Sequence, residues 1–208
     1  MLFFLTGDIQ TGKTRWLEKT IAILAERGIV SAGVIAPGIW IEDDRFIKLG
    51  IDNVLLPQGE RITFALREDI AKSKGAYDAN AQSASAGLHW AIDEDAIKRV
   101  NNHFEELLRD AETPRSKQGE LLVVDELGRL ELMRGGGLTA AVTLLKQGAG
   151  GRFRHGVVIV RDSLLDVAKA QLPQAAWGGF TDIYPNDDSL QKLLSSFSSH
   201  EEHEEQTR

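Results

Sequence analysis

Short hydrophobic runs alternate along the chain with longer segments of mixed polarity, a pattern typical of strands that alternate with helices. The apolar runs at residues 1–6, 121–124 and 157–160 have the length and composition of buried strands. Residues 29–35 and 180–184 predict two more strands. The pattern therefore predicts an α/β fold, a three-layer sandwich with a mostly parallel central sheet.

Segments with apolar residues three and four positions apart predict the helices between these strands. The clearest one is expected to be capped by Asp93 and to end near Ala111, with a buried apolar stripe. His103 lies on this helix and is predicted to be a surface residue. Further helices are predicted at residues 15–27, ending near Gly28, and at 138–147, 164–172 and 187–197.

The region between the first and second helical crossovers departs from this alternation. Residues 33–67 contain short apolar segments separated by turn signals, which predict an inserted antiparallel β meander. Residues 68–87 show no convincing period and predict a mobile loop, with a short helix at 67–74 as the alternative. We expect residues 1–197 to form a single domain and residues 198–208 to be an acidic, disordered tail.

Composition narrows the function classes. The 208 residues carry a net charge of −7, so we do not expect a broad basic face for nucleic acid. The absence of cysteine excludes disulfides and zinc–thiolate sites. No apolar stretch approaches the length of a membrane span, and the apolar N-terminal segment favours a core strand over a signal peptide. We therefore expect a cytoplasmic protein.

The first strand leads directly into a glycine-rich motif, G-D-I-Q-T-G-K-T, which fits the phosphate-binding pattern G-x-x-x-x-G-K-[ST]. Backbone N–H groups at the start of a helix can solvate a triphosphate, and glycine lets the backbone approach it closely. We expect Lys13 to reach the β- and γ-phosphates and Thr14 to bind Mg²⁺. The predicted nucleotide-binding residues are Gly7, Asp8, Ile9, Gln10, Thr11, Gly12, Lys13 and Thr14.

A carboxylate pair, Asp125 and Glu126, follows the apolar run at 121–124. Downstream of a phosphate loop, this arrangement predicts that Asp125 binds Mg²⁺, directly or through water, and that Glu126 orients or deprotonates an attacking water. The alternative is that the pair simply ends a strand in solvent. Arg129 and Glu131 come close behind, and either could face the γ-phosphate or pair with the other.

The block V-V-D-E-L-G-R-L-E-L at residues 123–132 resembles the small P-loop nucleoside-triphosphatases of thermophilic archaea and bacteria and the animal cancer-related nucleoside-triphosphatase. The resemblance extends over most of residues 1–185. It implies a RecA-like core and slow hydrolysis of nucleoside triphosphates with weak base selectivity. It also implies roles for Lys13 and Thr14 on phosphate and Mg²⁺, Asp125 on the metal, Glu126 as the base and Arg129 in stabilising charge.

Two other functions would use the same phosphate-binding motif. A small-molecule kinase would transfer the phosphoryl group to a hydroxyl, but residues 68–87 lack the arginines of a typical kinase lid, while Arg152, Arg154 and Arg161 leave some room for one. A nucleotide-binding regulator would turn over negligibly. No Asn-Lys-x-Asp segment is present, which argues against a dedicated GTP switch. The leading prediction is Mg²⁺-dependent triphosphate hydrolysis, with any protein partner unknown.

Overall fold

The computed structural model describes residues 1–8, 10–41, 44–113, 115 and 119–198. The strands are β1 (Leu2–Leu5), β2 (Ser31–Ile35), β3 (Gly38–Ile41), β4 (Asp44–Leu56), β5 (Glu60–Arg67), β6 (Trp90–Ile92), β7 (Glu120–Leu127), β8 (Phe153–Val160) and β9 (Phe180–Ile183). The helices are α1 (Lys13–Glu26), α2 (Glu68–Ser73), α3 (Gln82–Ser85), α4 (Glu94–Arg109), α5 (Arg129–Arg134), α6 (Thr139–Gln147), α7 (Leu165–Gln171) and α8 (Asp187–Ser198).

All the strands join one sheet with the order β6-β5-β4-β2-β7-β8-β1-β9, and β3 pairs with β4. The half formed by β2, β7, β8, β1 and β9 is parallel, so the carboxyl ends of these strands meet at one edge. The phosphate loop follows β1 and the carboxylate pair lies near the end of β7, with β8 between them. The parallel topology therefore brings the two predicted halves of the site to the same edge.

The parallel strands are buried on both faces because successive side chains enter different cores. Leu122 and Val124 pack with α4, α6 and α7, whereas Leu121 and Val123 pack with α1 and α8. This arrangement confirms the predicted three-layer sandwich. Among the described residues, no helix is both long and apolar enough to cross a bilayer.

The antiparallel meander predicted at residues 33–67 is confirmed for β3, β4 and β5, but residues 33–35 belong to β2 of the parallel half, and β6 extends the meander beyond residue 67. Residues 42–43 lie outside the described residues. Several of the short apolar segments predicted within residues 33–67 belong to one 13-residue strand, β4, which includes Gly50. A Cβ at Gly50 would lie 2.6 Å from the Ala65 carbonyl oxygen, so this glycine allows β5 to approach β4 and does not end the strand.

Two predictions about residues outside the sheet were wrong. Residues 68–87 contain α2 and α3, as the alternative of a short helix partly anticipated, and Gln82 on α3 binds the Glu94 carboxylate through its backbone N–H at 2.9 Å and its side-chain amide at 2.8 Å. Mobility of this region stays a prediction.

The second wrong prediction is that His103 is a surface residue. His103 is buried, with its Nε2 3.1 Å from the Gly33 carbonyl oxygen, and burial lowers its pKa. The predicted tail at 198–208 falls outside the described residues, except that Ser198 ends α8.

A substitution at Gly33 tests whether the close contact between β2 and β7 matters for stability. A Cβ there would lie 2.0 Å from the Val123 carbonyl oxygen, and the residue has φ of 128°. We expect Gly33→Ala to lower the free energy of unfolding by about 3 kcal/mol or more, because the strand that carries Asp125 would have to move. Urea unfolding followed by circular dichroism measures the loss.

Gly28→Ala is the matched control, because Gly28 also has positive φ (77°) but has open space around its Cβ position. It should cost about 1 kcal/mol, the conformational penalty alone. Equal losses in the two variants would show that the β2–β7 contact is not the constraint.

Candidate functional site

The loop between β1 and α1 has the geometry of a phosphate cradle. Gly7 and Gly12 have φ of 128° and 84°, which only glycine adopts readily. The Lys13 ammonium folds over the loop and donates to the carbonyl oxygens of Gly7 (2.8 Å) and Asp8 (2.5 Å). Partial burial lowers its pKa. Of the predicted binding residues, Ile9 lies outside the described residues.

Asp162 anchors the start of this loop, a role that sequence analysis missed. Its Oδ1 accepts hydrogen bonds from the Thr6 hydroxyl (2.5 Å) and from the Gly7 backbone N–H (2.8 Å). Asp162 follows β8, the neighbour of β1 in the sheet. A polar residue directly after a predicted buried strand was the available signal for this contact.

Asp125 lies where three elements meet. Its Oδ2 accepts from the Ala36 N–H (2.8 Å), just past β2, and the nearby Thr14 side chain on α1 acts to lower the pKa of Asp125. The residue is 5% exposed, so the alternative of a carboxylate ending a strand in solvent is wrong for Asp125. Burial raises the pKa of Asp125 to about 7, against the opposing effect of the Ala36 hydrogen bond.

The residues present fit a hard divalent cation. Thr14 and Asp125 together offer a hydroxyl and a carboxylate, the oxygen ligands such ions prefer. A cation beside Asp125 would also offset the cost of burying its charge. Within the described part of the chain, no cluster of three or more His, Asp or Glu residues forms a self-contained metal cage.

Glu126 departs from the regular geometry of β7. It has φ of 77°, uncommon for a residue other than glycine, and the β7–β8 register shifts between Val124 and Leu127. Its Oε1 accepts from an Arg161 guanidinium N–H at 2.6 Å. Backbone strain of this kind is concentrated at functional sites, because surrounding contacts must maintain it.

Arg129 and Glu131 do not pair with each other, and their environments differ. Glu131 is a structural clamp, whose two carboxylate oxygens accept from the backbone N–H groups of Gly128 (2.9 Å) and Leu138 (3.1 Å). Burial raises the pKa of Glu131. Arg129 begins α5, is exposed, and has no hydrogen bond or ion pair within the described residues. Its catalytic role stays a prediction.

Lys48 on β4 is a further cation that sequence analysis missed. Its Nζ lies 5.4 Å from the centre of the Trp90 ring, and its stem passes beside Gly38, where a Cβ would lie 2.8 Å from Lys48 Cε. Burial lowers the pKa of Lys48, while the charges of Glu126 and Asp125 oppose that effect. Among the described residues it has no hydrogen bond or ion pair. Lys48 lies near the phosphate loop only because the meander packs beside that loop, and the sequence alone does not show this arrangement.

Two cavities meet at the carboxylate pair. The phosphate-side cavity, 430 Å³, is lined by residues that include Lys13, Thr14 and Lys48. The meander cavity, 340 Å³, is lined by residues that include Phe64 and Arg129. The two share six lining residues: Ala36, Ile51, Trp90, Asp125, Glu126 and Arg161. The first cavity brings together Lys13, Thr14, Asp125 and Glu126, whereas Arg129 lies in the second.

A phosphate loop, a buried Asp beside the loop threonine and a following Glu, all on a mostly parallel sheet, define the P-loop nucleoside-triphosphatase class of fold and site. The profile of one family, NTPase, matches residues 2–147. The chain belongs to this NTPase family and is a nucleoside-triphosphatase enzyme that binds nucleotide.

A comparison with solved structures supports the fold independently. The chain is similar to the solution structure of a human cancer-related nucleoside triphosphatase, with a TM-score of 0.59 and 17% identity. The similarity covers 96% of this chain and 97% of the human one. No curated protein matches the chain in a sequence comparison.

Asp162 provides a test of how the loop is held. We expect Asp162→Ala to lower the free energy of unfolding by about 2 kcal/mol. The substitution removes a charged carboxylate that accepts two hydrogen bonds, from Thr6 and from Gly7. Hydrogen exchange should also become faster at the Gly7 amide. Urea unfolding and exchange followed by NMR measure the two effects.

Asp166→Ala is the control, since it removes an exposed carboxylate four residues away on α7. It should change stability by less than about 0.5 kcal/mol. Unchanged Gly7 exchange in Asp162→Ala would remove Asp162 as the anchor of the loop.

Proposed function

We propose that the chain hydrolyses nucleoside triphosphates to diphosphate and phosphate in an Mg²⁺-dependent reaction, with broad base selectivity and slow turnover. The observation that carries this proposal is that Lys13, Thr14, the buried Asp125 and Glu126, which come from distant parts of the sequence, line one cavity. Broad base selectivity is what the family resemblance implies, and the absence of an Asn-Lys-x-Asp segment argues only against a dedicated GTP switch.

Binding of the triphosphate begins at the phosphate loop. Loop N–H groups bind the phosphate oxygens, and the Lys13 ammonium exchanges its carbonyl partners, Gly7 and Asp8, for the β- and γ-phosphates. Thr14 and Asp125 would hold Mg²⁺, which when bound neutralises charge on the phosphates and polarises them. We propose Mg²⁺ because the chain supplies few ligands and all are oxygens.

Glu126 is proposed to orient the attacking water and to accept its proton. The unusual backbone conformation turns this residue out of the strand alternation, and Arg161 holds its carboxylate at 2.6 Å. Arg161 is therefore a positioning residue in this scheme. A water ordered by Glu126 attacks the γ-phosphorus in line with the departing diphosphate oxygen.

Lys48 is proposed to stabilise charge on the γ-phosphate during the reaction. Trp90 holds the ammonium over the site, and its partial burial is costly without an anionic partner. The γ-phosphate would provide that partner. The inserted meander would then supply, within the same chain, the cation that some phosphohydrolases receive from a partner protein.

Three broader expectations stay proposals. We propose that residues 1–197 act as a single domain, supported by the one sheet that all described strands join. We propose a cytoplasmic location, with which the absence of cysteine is compatible. The net charge of −7 supports the proposal that nucleic acid is not a partner.

Glu126→Gln tests the proposed mechanism. We expect kcat for phosphate release to fall by about 100-fold or more, because the amide cannot accept the proton, while nucleotide affinity stays within about threefold. Lys13→Ala should instead weaken binding by about tenfold or more. Phosphate release and fluorescent-nucleotide titration with Mg²⁺ separate the two effects, and equal turnover in Glu126→Gln would remove that residue from the mechanism.

Lys48→Met tests the charge-stabilising role. We expect kcat to fall by about 10- to 100-fold with little change in KM, because the interaction strengthens as charge develops on the phosphate. Lys48→Arg should recover part of the rate. Lys74→Met, which removes an exposed lysine from the end of α2, is the matched control. A rise in KM alone would make Lys48 a ground-state binding group.

A further inference from the structure

The meander cavity is larger than hydrolysis requires. A water molecule needs about 30 Å³, whereas this cavity has a volume of 340 Å³. Pockets for small organic ligands begin at about 300 Å³. The cavity therefore has room for a whole small molecule beside the carboxylate that is proposed to activate the nucleophile.

Its position is that of an acceptor site. Asp125, Glu126 and Arg161 line both this cavity and the phosphate-side cavity, so the carboxylate pair stands at the boundary between them. A triphosphate held by the loop would extend its γ-phosphate towards that boundary. In-line transfer needs a nucleophile opposite the leaving oxygen, and a group that enters from the meander cavity approaches beside Glu126.

The walls indicate what kind of molecule fits. Phe64, Trp90, Ile92 and Leu138 contribute flat or apolar surface from the meander and from the start of α6. Arg129 contributes a positive charge that has no partner among the described residues. Arg161 and the carboxylates of Asp125, Glu126 and Glu131 also line the cavity, but Arg161 is paired with Glu126 and Glu131 accepts from backbone N–H groups. The apolar surface together with the unpaired Arg129 charge favours a ligand with a planar apolar body and an anionic substituent.

We propose that the meander cavity binds a small alcohol with a flat apolar body and an anionic group, and that its hydroxyl accepts the γ-phosphoryl group in place of water. This inference rests on the nucleotide site of the proposed function. The chain would then be a phosphotransferase whose hydrolysis is the reaction without acceptor. Residues 68–87 lack the arginines of a kinase lid, but Arg129 and Arg161 line the acceptor side from other elements.

The transfer step balances without a further reactant. The hydroxyl oxygen of the acceptor attacks the γ-phosphorus and forms the new P–O bond. The bond between the γ-phosphorus and the β,γ-bridging oxygen breaks, and its electron pair leaves with the nucleoside diphosphate. The hydroxyl proton passes to the Glu126 carboxylate and then to solvent. The products are a phosphate monoester and a diphosphate.

The probe is 4-(hydroxymethyl)benzoate, which combines a ring, a carboxylate and a primary alcohol. The full chain is incubated with ATP, Mg²⁺ and the probe, and ³¹P NMR measures the monoester against inorganic phosphate. Free alcohol at about 10 mM competes with about 55 M water, so unassisted transfer would be about one event in 5,000. We expect the monoester fraction to exceed that value by about 100-fold or more, and benzyl alcohol to react less.

Two variants connect the transfer to the cavity. Ala65→Leu fills buried space in the cavity wall and should reduce monoester formation by about tenfold while phosphate release persists, which also shows that the variant folds. Arg129→Gln, at an exposed position, should raise KM for 4-(hydroxymethyl)benzoate by about tenfold but leave KM for benzyl alcohol unchanged. 4-Methylbenzoate, which lacks the hydroxyl, should inhibit transfer without forming a product.

The outcomes separate this inference from the proposed function. Normal phosphate release with a monoester fraction no higher than unassisted transfer would overturn the acceptor site and leave the triphosphatase intact. Equal transfer in wild type and Ala65→Leu would likewise overturn it, because the alcohol would then be reacting from solvent. If neither phosphate nor monoester forms from ATP, the proposed hydrolysis itself fails.

Discussion

The buried carboxylate of Asp125 connects the parts of this molecule that must act together. It accepts from the Ala36 N–H after β2 and lies near Thr14 on α1, while its own backbone belongs to β7. A buried carboxylate is costly unless its charge is compensated, and these contacts compensate only part of it. The raised pKa, about 7, is the electrostatic sign of that deficit. A site with this deficit favours a cation, and the phosphate loop lies beside it.

The meander adds antiparallel strands beside the carboxyl edge of the parallel half of the sheet. Because β4 pairs antiparallel with β2, the sheet continues beyond its parallel half. Lys48 on β4 and Trp90 on β6 line the phosphate-side cavity, and Phe64 on β5 lines the meander cavity. The same insertion therefore provides both a candidate charge-stabilising group and a space for a second ligand.

Packing and catalytic geometry are coupled where β7 meets its neighbours. Gly33 allows the backbone of β2 to approach Val123, and the Gly33 carbonyl oxygen in turn lies 3.1 Å from the buried His103 ring. Two residues further along β7, Asp125 reaches the loop after β2, and Glu126 adopts its positive φ. A well-packed strand thus ends in a strained residue, and its Arg161 contact is one of those that hold it.

The local pattern of the sequence determined the parallel strands, the main helices, the meander and the phosphate loop, since each depends on neighbouring residues and their periodicity. Features that depend on contacts between distant residues were decided only by the tertiary structure. Asp162 as loop anchor and the Arg161–Glu126 pair each join residues that are far apart in sequence. Burial of His103 and the placement of Lys48 depend on which faces the layers cover, and periodicity alone does not specify that. The sequence therefore determined which groups are candidates for binding a triphosphate, and the fold decided which of them line one cavity.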